Sequence, residues 1–171
     1  MDERFLVAHV GWGWCGLRRT GAGLSRCTVP QAERDAAAAM VAAGATPGEG
    51  DPLLGEVAAA LRTYFGGSTT EFGVEMDLGG LSDFTRRVLV ACTAVPYGST
   101  ESYGGLAAAV GSPRAARAVG QALHRNPLAI VVPCHRIVDA DGGLGGFGSG
   151  LKMKRRLLDL EGIGRRRDDE S

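Results

Sequence analysis

Short apolar runs broken by glycine open the chain, and the period of the pattern lengthens further along. Phe5–Val10, Gly13–Leu17 and Leu24–Val29 are strand-length runs bounded by turn residues, which predicts a β-hairpin or meander. "QAERDAAAAMVAA" is dense in helix formers and stops at Gly44. "LLGEVAAALRTYF" carries apolar positions at helical spacing and closes on Gly66-Gly67. The stretch between them, "GATPGEGDP", reads as a loop, and "TEFGVEMDLGG" as a strand and turn. Strands followed by helices and one more strand predict a small α/β domain over residues 1–80.

From Ser82 the period becomes helical. "SDFTRRVLVACTAV" predicts a helix with Ser82 as N-cap and Phe84, Val88, Leu89 and Cys92 on one face. "ESYGGLAAAVG" predicts a short helix ending at Gly111, and "SPRAARAVGQALHRN" a second one with Ser112 at N-cap and Pro113 at N1. Two short helices joined through Gly111-Ser112-Pro113 have helix-turn-helix spacing. "LAIVVP" reads as a short strand running into Cys134, "DADGGLGGFGSG" as a glycine-rich loop, and "LKMKRRLLDLEG" as a last helix ending at Gly162. Residues 81–163 are therefore expected to form a second, mainly helical domain, and residues 164–171 a polar, frayed tail.

Composition adds location. With 171 residues, 44% hydrophobic, the chain suits one domain or two small ones. Its formal charge is zero, but residues 1–80 carry six Lys/Arg against ten Asp/Glu, and residues 81–171 carry thirteen against nine. Within 86–136 stand six arginines and a single acid, Glu101. Such a split suits a polyanion on one side of the molecule; a solvated surface explains it as well. No apolar run approaches the roughly 20 residues of a membrane span. Met1-Asp2-Glu3-Arg4 is not a basic leader, so a reducing, cytoplasmic setting with free thiols is expected. Cys15, Cys27, Cys92 and Cys134 are widely spaced with no CxxC, which argues against a ribbon-type zinc site.

The candidate chemistry centres on "VPCHRIV". A thiol attacks as thiolate, and a free cysteine titrates at about 8.5, so activation requires a base or a positive environment. His135, Arg136 and, from the last helix, Glu161 are the nearest candidates. In an extended chain His135 would point away from the sulfur and would need a bridging water or a local turn. Helix 112–126 is thin, with Ala115, Ala116, Ala118, Gly120 and Ala122 set among Arg114, Arg117 and Arg125. Close approach to a nucleic-acid backbone explains that pattern, and so does tight helix packing. A helix-turn-helix regulator with a structural cysteine and a Cys-His hydrolase are the competing readings.

"NPLAIVVPCHRIV", with "VPYGSTESYGGLAAAVGSPRAARAVGQALHRNP" before it and "GGFGSGLKMKRRLLDLEG" after it, resembles the O6-alkylguanine-DNA alkyltransferase family over about residues 82–163. The resemblance implies an α/β (α+β) fold: a small ribonuclease-H-like N-terminal α/β domain, then a winged helix-turn-helix-like domain. It implies direct-reversal repair of double-stranded DNA by base flipping, in which a protein cysteine takes an alkyl group from O6-alkylguanine once, with O4-alkylthymine a second candidate substrate. Cys134 would be the acceptor, His135 a proton relay through water, and Glu161 its support. Asn126 would hold the turn before the cysteine. Arg117 would fill the gap left by the flipped base, Tyr103 would press on phosphate and donate to the purine, and Arg114 and Arg136 would face DNA. Val132, Pro133, Phe147, Gly148 and Ser149 would line the pocket. Phe147 stands where some members carry tyrosine, and Leu89 where many carry tryptophan. No cofactor is implied, no metal is carried over, and a monomer is expected. A non-transferring damage-recognition relative is the alternative within the superfamily; relatives of that kind lack the cysteine.

Overall fold

The computed structural model describes residues 2–164; the tail expected to fray lies almost wholly outside them. The chain divides into two compact units. One comprises residues up to Gly79 together with Pro127–Val131, and the other comprises Gly80–Asn126 and the chain from Val132 onward.

In the first unit, β1 (Arg4–His9), β2 (Trp14–Thr20) and β3 (Gly23–Cys27) form an antiparallel meander. A two-residue strand, β4 (Thr46–Pro47), lies inside the stretch read as a loop and adds parallel to β1, giving the order β3-β2-β1-β4. Helix α1 (Arg34–Val41) buries Ala37 and Val41 against Val7. It approaches the sheet at Gly16, where a Cβ would stand 2.7 Å from the Ala37 carbonyl, so any side chain there would push the helix away. The helix is shorter than "QAERDAAAAMVAA" because Gln31 exchanges backbone hydrogen bonds with Trp14 and belongs to the sheet. Helix α2 (Pro52–Phe65) starts as its sequence dictates: the Asp51 side chain accepts the Leu54 N–H at 3.1 Å and Pro52 occupies the first turn. It buries Leu54, Val57, Ala58, Leu61, Tyr64 and Phe65.

Two predicted strands did not form, for one shared reason. The outer edge of β3 is divided between two segments. Leu24 bonds to Glu75 and Asp77, and Cys27 bonds to Pro127 and Ala129, so each segment makes only one bridge. Beyond Leu128 the chain turns at Ile130, which has φ 71°, a conformation a β-branched residue rarely adopts. "LAIVVP" is therefore a bridge and a turn.

The second unit contains α3 (Asp83–Cys92), β5 (Glu101–Ser102), α4 (Tyr103–Ala109), α5 (Ala116–His124), β6 (Ile137–Val138) and α6 (Leu151–Leu160). Ser82 caps α3 by accepting the Thr85 N–H, and Val88, Leu89 and Cys92 are fully buried below it. Helices α3, α4 and α5 pack on one another, and β5 pairs in parallel with β6. The start of α5 differs from expectation. Ser112 and Pro113 do not cap it; its N-cap is Ala115, and the Ser112 carbonyl accepts the Ala115 N–H in a separate turn. Gly111 (φ 79°) ends the preceding helix, and the Ser112 N–H is taken by Ala107, so a full turn intervenes before helical bonding resumes. Arg114 therefore lies in the turn, off the helix that carries Arg117.

Candidate active site

Cys134 is partly exposed and opens a single 3-10 turn, Cys134–Arg136. In that geometry successive side chains fan about 120° apart, in place of the opposed faces of a strand. The Asn126 side chain, just after α5, fixes the entry to the turn. Its Nδ2 donates to the Val132 carbonyl at 3.0 Å and to the Cys134 sulfur at 3.3 Å. Val132 and Pro133, the two residues before it, are buried. Burial raises the Cys134 titration, whereas the Asn126 amide, the Lys154 charge and the backbone N–H groups of Cys134 and His135 pull it down; the net shift is upward. At rest the thiol is protonated, and it requires a base to attack.

Behind the cysteine lies a buried ionic network. His135 is 0% exposed and its Nε2 meets Glu161 Oε2. The other carboxylate oxygen, Oε1, accepts from Arg136 Nε at 2.7 Å and from the Gly98 N–H at 3.1 Å. Arg136 Nη1 donates to the Val95 carbonyl at 2.8 Å, and its guanidinium lies 5.7 Å from the Tyr97 ring centroid. Arg136 was expected to face DNA, but it is buried and spends these donors inside the unit; it holds Glu161. Burial lowers the His135 titration although Glu161 opposes this, so the ring is neutral and able to accept a proton. Glu161 stands at the C-cap of α6, the unfavourable end for a carboxylate, and its donors offset that.

Tyr103 begins α4. Its hydroxyl donates to the Gly146 carbonyl at 3.4 Å and accepts the Gly146 N–H at 3.3 Å. Its ring packs beside Gly120, where a Cβ would make ordinary van der Waals contact at 3.7 Å. At Gly145 (φ 68°) a Cβ would lie 2.6 Å from the hydroxyl, so the loop approaches this closely only as glycine. Burial raises the Tyr103 titration, and the phenol keeps its proton. Phe147 is half-buried; Gly148 and Ser149 are exposed, as are Arg114 and Arg117.

Sequence reasoning missed Lys154, Val95, Tyr97 and Gly98. Lys154 had a signal: it shares a helical face with Leu157, Leu158 and Glu161, all buried. Val95, Tyr97 and Gly98 gave none, because their role comes from backbone groups and a ring brought to Glu161 by the fold. Among the described residues, no group of three or more His, Cys, Asp and Glu is placed to hold a metal ion.

The fold and site define a helix-turn-helix domain that presents one reachable cysteine in front of a buried His–Glu–Arg network. A family profile, 6-O-methylguanine DNA methyltransferase, DNA binding domain, matches residues 83–163. The Mycobacterium tuberculosis methylated-DNA–protein-cysteine methyltransferase is 54% identical over 101 residues, which cover 59% of this chain and 61% of the relative. The Methanosarcina acetivorans protein of the same name is 44% identical over 114 residues, covering 67% of this chain and 72% of that one. A crystal structure of Mycobacterium tuberculosis OGT in complex with DNA superposes with a TM-score of 0.75 at 40% identity, covering 94% of this chain and 92% of that one. The chain belongs to the methylated-DNA–protein-cysteine methyltransferase family.

Proposed function

We propose that this protein repairs alkylated DNA by direct reversal: it takes the alkyl group of O6-alkylguanine in duplex DNA onto Cys134, once per molecule. The observation that carries this reading is the partly exposed Cys134 sulfur, held by Asn126 and backed by the His135–Glu161–Arg136 network. The relatives' shared name and the DNA-bound structure support it.

The proton of Cys134 leaves through water to neutral His135, whose charge Glu161 then balances. The sulfur forms a bond to the alkyl carbon as the bond from that carbon to O6 breaks, and the electron pair stays on guanine. Guanine gains a proton from Tyr103, and the phenolate takes one back through water from the His135 imidazolium, so the thiol's loss and the base's gain cancel. A thioether has no ready route back, which makes the protein its own spent reagent. Reaching the carbon requires the base to leave the stack, at a few kcal/mol. Exposed Arg117 fills the gap, and Arg114 contacts phosphate without reading sequence. Val132, Pro133, Phe147, Gly148 and Ser149 surround the flipped base. The protein acts as a monomer in a reducing cytoplasm, where its four cysteines stay free.

The test is intact-mass measurement after incubation with a duplex containing O6-methylguanine. One methyl per chain, mapped to Cys134, is expected. An unchanged mass, or the methyl on another thiol, overturns the reading.

A further inference from the structure

Six of the nine residues from Gly142 to Gly150 are glycine, so this loop keeps its shape only where other segments grip it. Tyr103 grips the part at Gly145 and Gly146. The part around Gly148 meets the end of α5 instead. A Cβ on Gly148 would stand 3.8 Å from both Cε1 and Nδ1 of the His124 ring, an ordinary van der Waals contact, so ring and loop stand about a methyl group apart. His124 is exposed, and among the described residues its ring makes no hydrogen bond or ion pair. A cation at a helix end is served as well by lysine or arginine, so the C-terminus of α5 does not by itself account for a ring held against a glycine. Two residues further on, Asn126 donates to the Cys134 sulfur. The end of α5 thus flanks the loop with one side chain and reaches the acceptor with the other. Arg117 and His124 are seven residues apart, about 10 Å along the same face of α5.

We propose, resting on the repair reading above, that His124 is a specificity-determining residue: its ring and the backbone at Gly148 are the two sides of an opening between α5 and the glycine loop, and their separation sets the largest alkyl group that reaches Cys134. The flipped base enters on the face of α5 that carries Arg117, and the group on its O6 passes the ring on its way to the sulfur. A methyl group passes without touching the ring. A benzyl group has to push aside either the ring or the loop. Discrimination by bulk against a wall of this kind is worth about tenfold or more in rate.

The test reads a ratio of rates. Duplexes carrying O6-methylguanine or O6-benzylguanine are compared by the rate at which intact mass reports the transferred group. In His124→Ala the benzyl-to-methyl ratio rises about tenfold. In Gly148→Ala it falls by a similar factor, because the φ at Gly148 lies outside the left-handed region and the added methyl group occupies the gap beside the ring. A folded His124→Ala whose ratio stays put or falls overturns the proposal; that includes both rates dropping together because the ring serves DNA binding. A second pair of reagents reads the opening without DNA. Iodoacetamide and N-benzyl-iodoacetamide alkylate the sulfur with loss of iodide, and their ratio at Cys134 moves in the same directions. An unmoved reagent ratio overturns the proposal as well. A moved reagent ratio in a protein that accepts nothing from either duplex leaves the opening standing and overturns the repair reading instead. Should His124→Ala not fold, Gly148→Ala decides alone, and an unmoved ratio there overturns the proposal.

Discussion

Cys15 and Cys27 in the first unit and Cys134 in the second are the same residue type under opposite instructions. Cys15 and Cys27 are 0% and 2% exposed, set among Leu17, Leu24 and Val29. Burial drives the Cys15 thiol up to about 12 and Cys27 well above its usual range, with no donor to oppose it. Cys134 also feels burial, but an amide, an ammonium and two backbone N–H groups act against it. Burial alone silences a thiol. Burial together with donors aimed at the sulfur leaves it protonated at rest and ready to ionise when its proton is removed. The two units differ likewise in how deep their ion pairs lie: each pair cited in the first keeps at least one partly exposed partner, whereas in the second His135 and Arg136 both meet Glu161 with every partner buried.

The sharpest way to break this comparison is to remove the thiols in turn. Cys134→Ala is expected to abolish methyl acceptance while keeping DNA binding. Cys15→Ala and Cys27→Ala should keep full acceptance and lose about 1–2 kcal/mol of stability. Intact mass and urea titration decide, and acceptance surviving in Cys134→Ala would erase the distinction between the units.

Next in size is Glu161→Gln. It leaves Arg136 buried without its counter-charge, and about 3–5 kcal/mol of stability should go. A loss under about 1 kcal/mol in urea unfolding would mean that the network is not held as an ion pair. Arg117→Ala touches neither core. It should slow transfer from duplex DNA by roughly 10- to 100-fold, the worth of about 1.4–2.7 kcal/mol toward base flipping, and leave reaction with free O6-benzylguanine unchanged. Equal slowing on both substrates would place Arg117 in the chemistry.

The smallest effect separates the units by acid. Burial lowers the His135 titration in the folded chain, so the unfolded chain binds that proton first. The second unit's stability therefore declines as pH falls below about 6.5. In the first unit, Thr20 and Gly79 hydrogen bonds lower Asp77. That contribution is whole above about 3.9 and is lost as pH falls through the lowered folded value. Both tryptophans, Trp12 and Trp14, lie in the first unit, so their fluorescence reports that unit, while amide exchange reports α5 and α6. Loss of protection in α5 and α6 that begins only below pH 5 would contradict the His135 assignment.

How much of this was legible in the residues depended on distance along the chain. Ser82 capping Thr85 and Asp51 capping Leu54 are contacts within three residues; the pattern foretold the first, and for the second it placed only the helix start, at Leu53, one residue after Pro52. Cys134, His135, Glu161 and Asn126 were named from motif and resemblance, and the fold brings Asn126 to the sulfur and Glu161 to the imidazole. Ser112-Pro113 carried a strong helix-start signal and lost to the turn that Gly111 forces. "LAIVVP" had strand composition, but β3 offered it only part of an edge. Arg136 looked like one more surface arginine, because only the fold brings Glu161 and the Val95 carbonyl to it.

By itself the sequence determined the helical stretches, the Ser82 cap, the meander, and the cysteine on which the chemistry turns, since each is written in neighbours a few positions apart. Tertiary structure alone decided which charges went inside. Burying Arg136, Glu161 and Lys154 is tolerable only when partners from residues 95–98, 135–137 and 146 arrive together, and no local pattern encodes such a meeting.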